Sequence, residues 1–151
     1  MGSKNILRRF HDNDNFHNVI KPSRETLLND AFPHKGKWKE AFFKNELPLV
    51  VELGCGKGEY SVGLARRFQE NNYVGVDLRG ARFWRGAKTA IEENLDNVAF
   101  VRAHIELIES IFYENEVDEI WITFPDPQIK LKREKHRLTN PVFLNRYKKI
   151  L

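Results

Sequence analysis

Cysteine is almost absent from this chain: Cys55 stands alone among 151 residues. A single thiol excludes an internal disulfide framework. Its place inside a glycine turn, with no candidate base beside it in the motif, reads as packing and not as chemistry. Long apolar runs are missing as well. No stretch has the length of a membrane span or the build of a signal peptide, so the expectation is a cytoplasmic chain with no membrane partner. Metal-ligand spacings, internal repeats and low-complexity tracts are also lacking, and no metal is expected. The apolar fraction, 41%, is slightly below the usual globular level but is enough for one domain with a real core. Charge of one sign is not abundant either. Charged residues make up 30% and the formal balance is +4 with a pI near 9.2, which permits an acidic partner without demanding one.

The most informative stretch present is Leu49-Val50-Val51-Glu52-Leu53-Gly54-Cys55-Gly56-Lys57-Gly58-Glu59, an apolar run that breaks into glycines at alternate positions. The run reads as a buried strand, and Gly54, Gly56 and Gly58 let the backbone turn tightly and approach a ligand closely. A dinucleotide loop has the spacing G-x-G-x-x-G, and its third glycine position is Glu59 here. Lys57 does not make a phosphate loop, because no G-K-[ST] follows. Carboxylates around the loop, led by Glu52, would repel a pyrophosphate but suit a ligand that carries an ammonium and a sulfonium. That ligand is S-adenosylmethionine. A second acid, Asp77, closes the next apolar run, Tyr73 to Asp77, about twenty residues on, where a carboxylate accepts hydrogen bonds from ribose hydroxyls.

Along the chain, residues 1–46 are rich in Asn, His, Lys and Arg, with scattered anchors at Phe10, Phe16, Trp38 and Phe42. They read as a basic N-terminal extension outside the core. Residues 47–151 read as the cofactor-binding half of an α/β domain. The pattern predicts a helix from about Glu59 to Glu70 burying Val62, Leu64, Ala65 and Phe68. A second, from Gly80 to Asn94, carries Phe83, Trp84, Ala87 and Ile91 on one stripe. Strand-like runs follow at Val98–Arg102 and Glu119–Phe124, with a helical candidate at Ile105–Phe112 between them. A last helix opens at Thr139-Asn140-Pro141 with Asn140 as N-cap. Strands alternating with helices predict a parallel sheet, with Glu52, Asp77, the Ala103-His104 region and Asp126 converging at its carboxyl edge. Four strands ending on a helix leave an apolar sheet edge open, so the chain reads as a half-domain truncated at its C-terminus, or one completed by a partner.

The last strand ends in Phe124-Pro125-Asp126-Pro127, and Lys130, Lys132, Arg133, Lys135, His136 and Arg137 follow at once. Prolines on both sides of Asp126 would hold its carboxylate at the pocket edge. A basic tract next to a pocket-edge acid is a candidate contact for a phosphate backbone, with Arg8 and Arg9 of the extension as further candidates.

Through E-L-G-C-G-K-G, G-V-D, F-P-D-P and K-x-K-R-x-K-H-R-L, residues 50–151 resemble the bacterial tRNA (guanine-N7-)-methyltransferases, class I enzymes dependent on S-adenosylmethionine. The resemblance implies a Rossmann-like parallel sheet with flanking helices, of which only the N-terminal half is expected here. It implies methyl transfer to N7 of a tRNA guanosine, the variable-loop one conventionally numbered 46. It also implies that Glu52, Gly54, Gly56, Gly58, Asp77, His104 and Asp126 contact the cofactor. Asp126 is the implied catalytic acid and Lys130 the implied substrate contact, and with tRNA as substrate Lys132, Arg133, Lys135 and Arg137 of the same tract read as further phosphate contacts. Asp77 stands where the family often has Glu, His104 where it usually places an acid near the adenine, and Gln128 where it has Trp. The family's later strands have no counterpart before Leu151.

The N7 lone pair is available at neutral pH, so the implied reaction needs no general base. A fixed carboxylate at Asp126 would stabilise the positive charge that moves onto the purine. Two other readings stay open. One is a methyltransferase for another nucleic-acid base, although F-P-D-P lacks the adjacent prolines and following aromatic of the D/N-P-P-aromatic motif. The other is a fragment that binds cofactor or RNA without transferring a methyl group.

Overall fold

The computed structural model describes residues 3–123, 125 and 127–151. Five parallel strands among them form one sheet: β1 (Val19–Ile20), β2 (Leu49–Leu53), β3 (Asn72–Asp77), β4 (Val98–Arg102) and β5 (Glu119–Trp121), in the order β1-β4-β3-β2-β5. The helices are α1 (Ser3–Asn15), α2 (Arg24–Leu28), α3 (Glu59–Arg67), α4 (Gly80–Glu92), α5 (Ile108–Ile111) and α6 (Pro141–Ile150). From β2 the chain steps outward through β3 and β4, then returns to pair β5 on the other side of β2. The strand order therefore reverses between β2 and β5. In open parallel sheets that crevice, beyond the carboxyl ends of the strands, is where ligands bind.

A parallel sheet is stable only with both faces covered. Val50, Tyr73, Val98 and Phe100 face α3 and α4 on one side, with Val62, Ala65, Phe83, Ala87 and Ala90. Leu49, Val51, Leu53, Val74, Val76, Ala99 and Val101 face the other side. There Ile108 and Ile111 of the four-residue α5 and Phe143, Tyr147 and Ile150 of α6 pack, and Leu27, Phe32, Trp38 and Phe43 finish the cover. Trp38 sits in a π-helical turn, Trp38–Phe43, is fully buried, stacks on Phe112 and donates its indole N–H to Ile111 O at 3.0 Å. The expectation that residues 1–46 stand outside the core is thus corrected. They supply the cover of one sheet face, a fifth strand against β4, and α1, which lies on α4.

The predicted helices α3, α4 and α6 are present with ends within a turn of those read from the sequence, and Asn140 caps α6 by accepting from Val142 N at 2.8 Å. Three details differ. Phe68 falls just past α3 and is exposed, so it is not a core residue. The candidate helix at 105–112 divides into a 3-10 turn, Ile105–Leu107, and the four-residue α5. The last strand ends at Trp121, three residues early, and Phe124 lies outside the described residues.

Candidate functional site

The loop after β2 is fastened to the end of β3. Gly54 N and Cys55 N both donate to Val76 O, at 2.8 and 3.2 Å, and Gly56 N donates to Asp77 Oδ2 at 2.9 Å. Gly58 has φ +79, and a Cβ there would lie 2.7 Å from the Phe100 ring and 3.3 Å from Gly86 Cα. Gly86 N in turn donates to Lys57 O at 3.0 Å. Helix α4 thus crosses the loop at a glycine–glycine contact, with Phe100 beneath both. Gly54 and Gly56 face the cleft, whereas Gly58, also expected at the cofactor site, is buried against Phe100 and Gly86 outside the cleft lining.

The cleft above β2 and β3 encloses about 580 Å³ and is lined by Glu52, Asp77, the loop from Gly54 to Lys57, and His104, among others. Glu52 is buried and takes one hydroxyl on each oxygen: Ser61 Oγ donates to Oε1 at 2.8 Å and Thr123 Oγ1 to Oε2 at 2.6 Å. Burial raises the Glu52 carboxyl above the ordinary carboxylate range, the two hydroxyls oppose that, and the nearby Asp77 charge adds to it. Asp77 is also buried and accepts from Gly56 N on one oxygen and from Arg79 N, at 2.9 Å, on the other. An ionised carboxylate has about four acceptor positions, so each acid keeps capacity for a ligand. Cys55 is buried behind the loop with its thiol pushed well up by desolvation, and it serves as packing.

On the β4 side, His104 caps the 3-10 turn and lies 3.8 Å from Glu106 Oε2, and both side chains line the cleft. Glu106 was not picked out from the sequence. It places an acid beside His104 in the cleft lining. On the β5 side, Thr123 and Pro125 reach the cleft, and Asp126 lies outside the described residues. The basic tract forms a 3-10 turn, Leu131–His136, at the rim. His136 and Leu138 face inward, whereas Lys130, Lys132, Arg133 and Lys135 are exposed outside the lining. Two of the arginines brace the tract itself: Arg133 Nε donates to Gln128 Oε1 at 2.7 Å and Arg137 Nε to Gln128 O at 3.2 Å. Arg82, Tyr60 and Thr123 also line the cleft without having been singled out in the sequence. Among the described residues no group of His, Cys, Asp and Glu gathers to hold a metal, and no helix is long and apolar enough to cross a membrane.

A family model described as "Putative methyltransferase" matches residues 46–151. The chain is 68% identical over 151 residues to a tRNA (guanine-N(7)-)-methyltransferase of Christiangramia forsetii, covering all of this chain and 67% of that protein. The chain belongs to the tRNA (guanine-N7-)-methyltransferase family. A second family member, from Bacteroides fragilis, is 47% identical over 148 residues, which are 98% of this chain and 58% of that one. The chain therefore spans about three fifths to two thirds of the length of these relatives. In fold, it is similar to a solved antibiotic-related methyltransferase, with a TM-score of 0.61 and 21% identity over 89% of this chain and 62% of the other. Class I methyltransferase architecture is thus the fold of the chain.

Proposed function

We propose that this chain takes part in methyl transfer from S-adenosylmethionine to N7 of a tRNA guanosine, with the variable-loop guanosine as the target. The observation that carries the reading is the pair of buried carboxylates, Glu52 and Asp77, fixed around a glycine loop in one cleft at the switch point of the sheet. The residues fit the cofactor. A cleft of about 580 Å³ is in the range of small-molecule sites. Gly54 and Gly56 line the cleft, where an added Cβ would come into van der Waals contact with Leu138 at 3.6 Å and Arg82 at 3.8 Å. In this reading Asp77 accepts from the ribose hydroxyls, Glu52 favours the ammonium end, the backbone at Gly54 and Gly56 lies against the ligand, and His104 with Glu106 flanks the adenine.

Bound S-adenosylmethionine supplies a methyl group activated on a positively charged sulfur. The acceptor nitrogen carries a lone pair at neutral pH, so the protein has to align and exclude water, with no proton to remove. Asp126 is assigned the electrostatic role, stabilising positive charge as it appears on the purine. Lys130, Lys132, Arg133, Lys135 and Arg137 are assigned to tRNA phosphates, with the three lysines and Arg133 presented outward at the rim. A cytoplasmic location, where tRNA is met, goes with this reading.

Methyl incorporation from labelled S-adenosylmethionine into two transcripts of one tRNA tests it. The guanosine transcript accepts label and its 7-deazaguanosine counterpart accepts none. Equal labelling of both would rule out N7 as the acceptor. In the same assay Asp126→Asn lowers kcat on the order of a hundredfold with cofactor affinity little changed. An unchanged kcat would remove Asp126 from the mechanism.

A further inference from the structure

Trp84 of α4 is the centre of a cluster of cations that the cleft does not use. The Arg9 guanidinium lies 4.5 Å from its ring centroid, Lys88 Nζ 5.4 Å, the Arg8 guanidinium 5.7 Å and the Arg85 guanidinium 6.0 Å. Two of them come from α1 and two from α4, so the cluster exists only because α1 docks on α4. That docking is specific. Arg9 Nη1 donates to Ala81 O at 3.3 Å, Trp84 Nε1 to Asp12 Oδ2 at 2.9 Å, and Asn13 Nδ2 to Gly80 O at 2.9 Å. The acids that touch the cluster are Asp12, held by the indole, and Glu92, 3.3 Å from Lys88. Four cations against two acids leave an excess of positive charge on one face, which the electron-rich ring only partly offsets. Arg8 and Arg85 are exposed there.

The cluster is continuous with the cleft. Helix α4 begins at the cleft rim, where Arg79 and Arg82 line it, and Arg82, Arg85 and Lys88 follow along the helix with no acid between them. From Arg82 to Lys88 is about 9 Å of helix axis, a path of positive charge leading away from the cleft on the β3 side. The Lys130–Arg137 tract lies on the β5 side.

We propose that the α1–α4 face is a second phosphate-backbone contact surface for tRNA, so that the RNA is held on both sides of the cleft. This rests on the tRNA reading above. Binding on two sides would fix the target base over the cleft by position, without reading sequence, as phosphate contacts do.

The test is tRNA binding as a function of salt for the whole chain, for the double variant Arg8→Glu/Arg85→Glu, for the milder Arg8→Gln/Arg85→Gln, and for a control, Arg24→Glu/Arg67→Glu. Arg24 and Arg67 are exposed at the start of α2 and the end of α3, and the control makes the same change in net charge. Far-ultraviolet circular dichroism checks that each variant is folded. The double reversal weakens tRNA binding roughly tenfold and lowers the salt slope by about two, with a smaller loss for the neutral pair and little for the control. Variants that bind as the parent does, or that lose no more than the control, overturn the inference while leaving tRNA as the substrate. A parent chain that binds no tRNA overturns the substrate reading, and the inference with it.

Discussion

The Glu52 carboxylate is held between two hydroxyls, and each is a handle on it. Thr123→Val removes the donor to Oε2 while keeping the side-chain volume, which leaves a buried acceptor without its partner. Denaturant unfolding should show a loss of about 1–3 kcal/mol. The raised Glu52 pKa has a sign that can be checked. Because the folded form holds its proton more tightly than the unfolded chain, with its reference value of 4.5, the stability tied to that proton is present at acid pH and is lost as pH rises above that value. Glu52→Gln therefore costs most at low pH, and the gap to the parent narrows as pH increases. A gap that widens with pH would mean the carboxyl is favoured as an anion. Glu52 and Asp77 were legible in the sequence because each closes an apolar run beside a glycine loop or the next strand. Ser61 and Thr123 were not. Ser61 lies 9 positions from Glu52 on α3 and Thr123 lies 71 away, and neither spacing forms a local pattern with the acid.

At the scale of elements, the crossing of α4 over the glycine loop gives a discriminating test. Alanine at position 86 would gain about 1 kcal/mol from helix propensity alone. Its Cβ, however, would sit 2.9 Å from Lys57 O and 2.9 Å from Phe100 Cζ. Gly86→Ala should therefore destabilise the chain by about 1–3 kcal/mol and weaken S-adenosylmethionine binding, both measurable by thermal unfolding with and without the cofactor. A more stable variant would mean that the loop gives way freely. Helices α3, α4 and α6 were legible because each has a cap or glycine start and an apolar stripe of 3.6-residue period. β1 was not, since two residues cannot display an alternation. The Trp38–Phe43 turn was also missed, because it is six residues long with no side-chain cap, too short to display a helical stripe, and its π-helical winding brings Phe43 as well as Phe42 against Trp38. Its aromatics looked like scattered anchors, although together they close one face of the sheet.

For the whole molecule, alternation of strands and helices gave the parallel sheet, and the carboxyl-edge rule brought Glu52, Asp77 and His104 to one cleft. What the pattern did not reveal was the docking of the first 46 residues, which depends on contacts far apart in sequence. That docking turns a set of N-terminal arginines into part of a charged face. If tRNA lies across both the rim tract and the α1–α4 face, its affinity falls steeply between low and physiological salt, while S-adenosylmethionine affinity stays nearly flat. A flat response for tRNA would exclude a phosphate-held complex. Nucleoside mass spectrometry of unmodified tRNA incubated with this chain and S-adenosylmethionine reads the acceptor atom and the need for the cofactor together. 7-Methylguanosine is expected as the single new methylated nucleoside, abolished by Asp77→Ala. Another methylated base, or no methylation by a folded chain that binds both cofactor and tRNA, would contradict it.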